Sequence, residues 1–190
     1  MSKNVRFRFT KVRDVKSPNR KNKGDAGLDF YIPTNLTLAQ LQEANMQAKY
    51  VNAGSLEPNE YSIATDGKGR ITKIFFGPMT RLSIPSGIRA LLEPAASMMQ
   101  ANNKSGRSTK QGFIFTAEVC DSPYTGEYHI GVLNTHCTSQ TMEVDKAAIQ
   151  FVHVPIYLTE PEEISNKDYQ KEAETWGTRG EKGMGSSNNE

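Results

Sequence analysis

Residues Ala117–Glu127 read AEVCDSPYTGE, and the fold is read outward from them. Asp121 stands three residues before Tyr124, and Thr125-Gly126 supplies a tight-turn dipeptide. An apolar run, FIFTAEV, leads in and an alternating run, YHIGVLN, leads out. The pattern predicts two strands joined by a hairpin, with Asp121 and Tyr124 near its tip. A carboxylate there suits a general base, and the neighbouring ring gives a substrate a face to lie against. An ordinary polar turn fits the same residues.

Short strands punctuated by turns continue on both sides. Val5, Phe7 and Phe9 alternate with Arg6, Arg8 and Thr10, the pattern of a half-buried strand. Asp29 follows the small residues Gly24 to Gly27 and opens the strand FYI. RLSI and GIRALLE flank Pro85-Ser86-Gly87, and Met142–Pro155 reads as a turn and a buried strand with Gln150 as an unusual amide inside it. Met98 and Met99 read as core filler and His153 as a packed histidine. Asn102–Gly112 gathers three hydroxyls, three cations and two glycines, suited either to an anion or to a solvated loop. Thr159–Lys171 reads as an acidic loop, and the chain ends in a glycine-rich arm from residue 175 to 190.

Residues 34–77 differ in texture. Thr37 to Gln40 is a capping box before a helix of about three turns with Leu38, Leu41, Ala44 and Ala48 on one face. A hairpin turning at Asp66–Gly69 follows. The segment reads as an insertion packed on the side of a single domain spanning 1–190, and it is where a protein partner would bind.

At 190 residues and 36% hydrophobic content the chain suits one domain with its own core. A net charge of +2 argues against a nucleic-acid protein, although residues 1–24 hold nine Lys/Arg against Asp14 alone, and 157–190 hold eight acids against four bases. Cys120 and Cys137 have no metal spacing, which fits a reducing, cytoplasmic setting, and no apolar run reaches membrane-spanning length.

In order and spacing, five stretches resemble the trimeric dUTP pyrophosphatase (dUTPase) family. They are Ala26-Gly27-Leu28-Asp29; Asn103-Lys104-Ser105-Gly106 with Lys110 and Gly112; Val119–Glu127; Lys146–Gln150; and Arg179–Ser187. The resemblance implies a mainly β fold, a β-barrel-like jelly roll with a swapped carboxy-terminal arm, assembled as a homotrimer. It implies Mg²⁺-dependent cleavage of dUTP between the α and β phosphates, giving dUMP and pyrophosphate and limiting uracil in DNA. Asp121 would deprotonate the attacking water and Tyr124 would lie against the deoxyribose. Lys104, Ser105, Gly106 and Gln150 would hold phosphate oxygens, and Arg179, Met184, Gly185, Ser186 and Ser187 would close over the nucleotide. Asp29 would reach the Mg²⁺ through water.

Three positions depart from the family pattern. Lys104 and Ala147 stand where its second and fourth motifs carry arginine, and Met184 where its tail carries an aromatic; the hairpin before Asp121 is about two residues short. Base selectivity therefore stays open between uracil and another deoxynucleotide (dCTP, dTTP or a modified base). A dCTP deaminase would need a glutamate where Gly131–Asn134 stands, and a catalytically weak regulatory module would act through residues 34–77.

Overall fold

A computed structural model describes residues 5–52, 54–116 and 119–173, without the side chains of Ser105 and Thr109. In chain order the elements are β1 (Arg6–Lys11), β2 (Gly27–Tyr31), α1 (Leu38–Glu43), β3 (Lys49–Tyr50), β4 (Glu60–Thr65), β5 (Ile71–Phe76), β6 (Arg81–Pro85) and β7 (Ile88–Glu93). They continue as β8 (Ser97–Asn102), α2 (Ser105–Gln111), β9 (Phe113–Phe115), β10 (Val119–Asp121), β11 (His129–Asn134), β12 (Gln140–Glu143), β13 (Ala147–Pro155) and α3 (Asn166–Ala173). The fold is mainly β, as the sequence predicts.

The described residues up to 157 make one compact unit and those from 158 to 173 another. In the first, sheets run β10-β8-β13-β2, β6-β11-β9 and β12-β5-β4-β3, beside a β1-β7 ribbon. Every pairing is antiparallel except β3 with β4. Strand alternation turns one face of each sheet to a shared core. Along β8, Ser97, Met99 and Ala101 are buried while Met98, Gln100 and Asn102 are half-buried. At the centre Phe30 of β2 packs on Phe151 of β13 at 4.6 Å and stacks on Tyr128 at 6.3 Å, all three being fully buried.

Residues 34–77 form the expected helix and hairpin, with two corrections. The capping box holds: Gln40 N donates to Thr37 Oγ1 at 3.3 Å, and Thr37 N donates to Gln40 Oε1 at 3.1 Å. The helix stops at Glu43, however, short of three turns. Asn45 ends it by turning its amide back to Leu41 O (2.7 Å) and across to β6, where it donates to Ser83 O (2.9 Å) and accepts from Ser83 N (2.6 Å). An amide that mimics a strand neighbour competes with further helix. Nor does the segment pack only at the side. Leu36, Leu41, Tyr61, Ile71, Ile74 and Phe76 belong to the same core as Phe30 and Phe151, and β5 carries β12 on its far edge.

Ribbon β1-β7 is less covered than its alternation predicts. Phe7 packs on Phe30 at 6.0 Å, but Val5 and Phe9 are 56% and 39% exposed, and the ribbon gains no third strand among the described residues. In the second unit, the helix α3 takes up residues 166–171 of the stretch expected as loop. Its start is an N-cap that local sequence could have revealed: Asp168 N donates to Ser165 Oγ (3.2 Å), whose hydroxyl donates to Asp168 Oδ2 (2.5 Å). The arm expected from residue 175 lies outside the described residues.

Candidate active site

The segment around Asp121 is not the simple hairpin predicted. β9 does pair with β11, Phe115 opposite Val132, and Thr116 N still donates to Gly131 O at 3.0 Å. Past that rung the chain changes sheet, and β10 pairs with β8, setting Asp121 opposite Met98. The buried positions carry the reason: Phe113 and Phe115 face inward in β9, whereas Cys120 does in β10, so the two-residue alternation changes phase between them.

Asp121 ends β10 with its side chain exposed, and a turn follows in which Tyr124 N donates to Asp121 O at 3.0 Å. Tyr124, 45% exposed, stacks on Tyr128 at 6.1 Å and donates its hydroxyl to Glu127 O at 2.9 Å. Gly126 lies directly under that ring, since a Cβ there would come within 2.4 Å of the Tyr124 hydroxyl oxygen. The small residue is what lets Tyr124 fold across its own turn. The far end is pinned to the start of β7: Glu127 accepts from Arg13 Nε (2.7 Å), Arg13 Nη2 (3.0 Å) and Gly87 N (2.7 Å), while Tyr128 N donates to Ile88 O (2.8 Å). Burial raises the Tyr128 pKa, so this ring under Tyr124 stays a neutral phenol.

A second group forms on the neighbouring strands. Asp29 of β2, 6% exposed, pairs through Oδ1 with the Lys104 ammonium and accepts from Gln150 Nε2 at 3.2 Å. Gln150 on β13 faces Asp29 on one side and Asn102 of β8 on the other. A Cβ on Gly27, two residues before this aspartate, would lie 3.1 Å from the Gln150 side chain, a tight approach that a larger residue would have to push aside. Lys104 and Gln150, expected on phosphate, and Asp29, expected near metal, thus meet one another. The anion loop expected over Asn102–Gly112 is instead largely helix: Lys104 is the N-cap of α2, Ser105 and Gly106 form its first residues, and left-handed Gly112 (φ 62°) ends it.

Asp29→Asn is expected to destabilise the fold by about 2 kcal/mol, because the amide oxygen still accepts from both donors but the largely buried Lys104 ammonium loses its counter-charge. Urea unfolding measures this; unchanged stability with a raised Mg²⁺ requirement would return Asp29 to a purely metal role.

These two groups lie apart in the chain. Asp121 faces Met98 and Gln150 faces Asn102, four residues further along β8. That separates them by about 13 Å along the strand direction alone. Arg179, Met184, Gly185, Ser186 and Ser187 lie outside the described residues.

Other candidates resolve as structure. His153 Nε2 lies 2.8 Å from Oγ of the buried Ser97, and burial lowers its pKa, as befits a packed neutral histidine. Asn134, in the stretch where a deaminase would carry glutamate, is fully buried and donates to the backbone oxygens of Gly77 (2.8 Å) and Thr138 (3.0 Å). Among the described residues no three His, Cys, Asp or Glu side chains converge as metal ligands. Arg13 and Glu127, which fix the Tyr124 turn, went unnoticed in the sequence, where 114 residues separate them.

No protein-family model matches the chain, and no curated protein matches it. Solved structures do. A mutant dUTPase of Staphylococcus bacteriophage 80alpha, solved with dUpNHpp, is 18% identical over 96% of this chain and 98% of its own, with a TM-score of 0.65. Another mutant of the 80alpha phage enzyme, also 18% identical, covers 98% of this chain and 99% of its own at a TM-score of 0.64. A mutant dUTPase from phage phi11 of S. aureus, described as coordinating a structural Mg(II) ion, is 14% identical over 85% of this chain and 97% of its own at 0.59. The backbone of this chain therefore has the dUTPase fold.

Proposed function

We propose that this chain is a dUTP diphosphatase, cleaving dUTP between its α and β phosphates to dUMP and pyrophosphate. The observation that carries the reading is the Asp121–Tyr124 turn on a dUTPase fold, with an exposed carboxylate at a strand end and a half-exposed ring held flat over Gly126. In this reading Asp121 takes the proton from a water aimed at the α-phosphorus. Tyr124 presents its ring to the deoxyribose, leaving no room for a 2′-hydroxyl. Lys104, Ser105, Gly106 and Gln150 hold phosphate oxygens, and the arm with Arg179, Met184 and Gly185 to Ser187 closes over the nucleotide.

A triphosphate brings its own Mg²⁺, which neutralises charge on the phosphate oxygens. Asp29 would reach that metal through water once Lys104 turns to phosphate. The separation of Asp121 from the Asp29–Lys104–Gln150 group supports a site shared between copies, with Asp121 of one facing the phosphate groups of another. Exposed Phe9 and Val5 on a ribbon with no third strand among the described residues support assembly, in our reading as a homotrimer. Cys120 and Cys137 form no disulfide, which supports a cytoplasmic setting; among the described residues no helix is long and apolar enough to cross a membrane.

Pyrophosphate release with Mg²⁺ from dUTP, dTTP, dCTP and UTP, each assayed alone, tests the proposal. Turnover of dUTP with UTP refused is the expected result. Preference for another deoxynucleotide would keep the mechanism and move the base, and no turnover of any would overturn the enzyme reading.

A further inference from the structure

Position 147 holds alanine where the resembling motif carries arginine, yet a guanidinium lies against it. Arg107 of α2, 40 residues away in sequence, directs Nε and Nη2 to Ala147 O at 3.3 Å each, and its Nη1 donates to Gln111 Oε1 at 2.7 Å. That carbonyl sits at an irregularity in the ladder, where the register of β13 against β2 shifts between Ala147 and Ile149. A bulge disrupts the local ladder and so lets a side chain serve as donor there. The guanidinium is half-buried, and burial lowers its pKa against the opposing pull of the Glu143 carboxylate.

α2 is thereby tied to the sheet at two points. Lys104, at its N-cap, holds Asp29 of β2, and Arg107, in its first turn, holds Ala147 at the start of β13. Three residues along β13 Gln150 returns to the same Asp29. Asp29, Lys104, Arg107, Ala147 and Gln150 form a closed circuit, and Ser105-Gly106 is the stretch of α2 between its two ties.

We infer that Arg107 is a positioning residue that holds the Ser105-Gly106 turn in register with Gln150. The inference rests on the dUTP-hydrolysis reading in one respect: this circuit is where the phosphates would bind. A planar fork on one carbonyl fixes direction as well as distance, whereas a lysine ammonium fixes only a point.

Steady-state kinetics on dUTP and amide hydrogen exchange over residues 105–111, in the full chain and its Arg107→Ala and Arg107→Lys variants, test it. Arg107→Ala should raise KM by about tenfold or more with kcat within about threefold, the signature of lost uniform binding. Exchange over α2 should quicken, and Arg107→Lys should recover part of both effects. An unchanged KM, or a collapse of kcat at constant KM, would overturn the inference. Should Arg107→Ala fail to fold, Arg107→Lys carries the test alone, with an intermediate KM expected and a wild-type KM contradicting. If the unmutated chain hydrolyses no nucleotide, the functional reading fails by itself. Exchange then still decides whether Arg107 holds α2, and unchanged exchange overturns that.

Discussion

Asp121→Asn is expected to lower pyrophosphate release from dUTP by about a thousandfold, within the range that a positioned general base contributes. The substitution keeps the shape of the side chain and removes only its capacity to take a proton. Its neighbours should not register the change. Asp121 is exposed, its strand pairing with Met98 is made by backbone, and the turn bond from Tyr124 N goes to the Asp121 carbonyl rather than to the carboxylate. Stability and affinity for a non-hydrolysable dUTP analogue should therefore stay near those of the unmutated protein, which separates lost chemistry from lost folding. A fall of less than about tenfold would place the base elsewhere.

Glu127→Ala should have the largest effect on stability, about 3 to 5 kcal/mol, because it removes one member of a largely buried ion pair and strands the other. The side chains of Arg13 and Glu127 are only 17% and 14% exposed, and the same carboxylate also receives Gly87 N. Without it the guanidinium must find water through a packed surface and the amide of the buried Gly87 loses its acceptor. Glu127→Gln retains an oxygen for Gly87 N and should cost less. The Tyr124 hydroxyl donates to the backbone oxygen of Glu127, so that contact survives either substitution as long as the turn stays in place. Urea denaturation of the two variants measures the difference; equal and small losses would mean that the pair is solvated in solution.

What the sequence made legible was local or fixed by spacing. The Thr37–Gln40 box and the Asp66–Gly69 turn are short-range devices, and both formed. In the second, Asp66 receives Lys68 N and Arg70 N within one loop. The Asp121 to Gly126 spacing was informative because Tyr124 must cross its own turn, a constraint contained in six residues. Contacts closed by the fold were not legible. Nothing near Glu127 in sequence points to Arg13, and nothing near Ala147 points to Arg107. The helix ending at Glu43 was misread for the same reason: Asn45 finds β6 only after the sheet exists. The sheet change before β10 was visible in principle, since the inward positions shift phase between Phe115 and Cys120, but one uninterrupted strand explains the apolar run as economically. α2 was hidden by its composition, because Ser, Thr and Gly suit loops, and its ties to Asp29 and Ala147 override that preference.

The central claim is a dUTP-hydrolysing site assembled between copies, and complementation tests it most directly. Asp121→Asn and Lys104→Ala, each expected to be nearly inactive alone, are mixed in equal amounts under conditions that exchange subunits, and pyrophosphate release from dUTP is followed. If Asp121 of one copy serves the phosphate groups of another, about a quarter of all sites after random exchange pair two unmutated contributions, and activity returns to that order. Mixed oligomers that form and yet show no more activity than their parents would contradict the shared site.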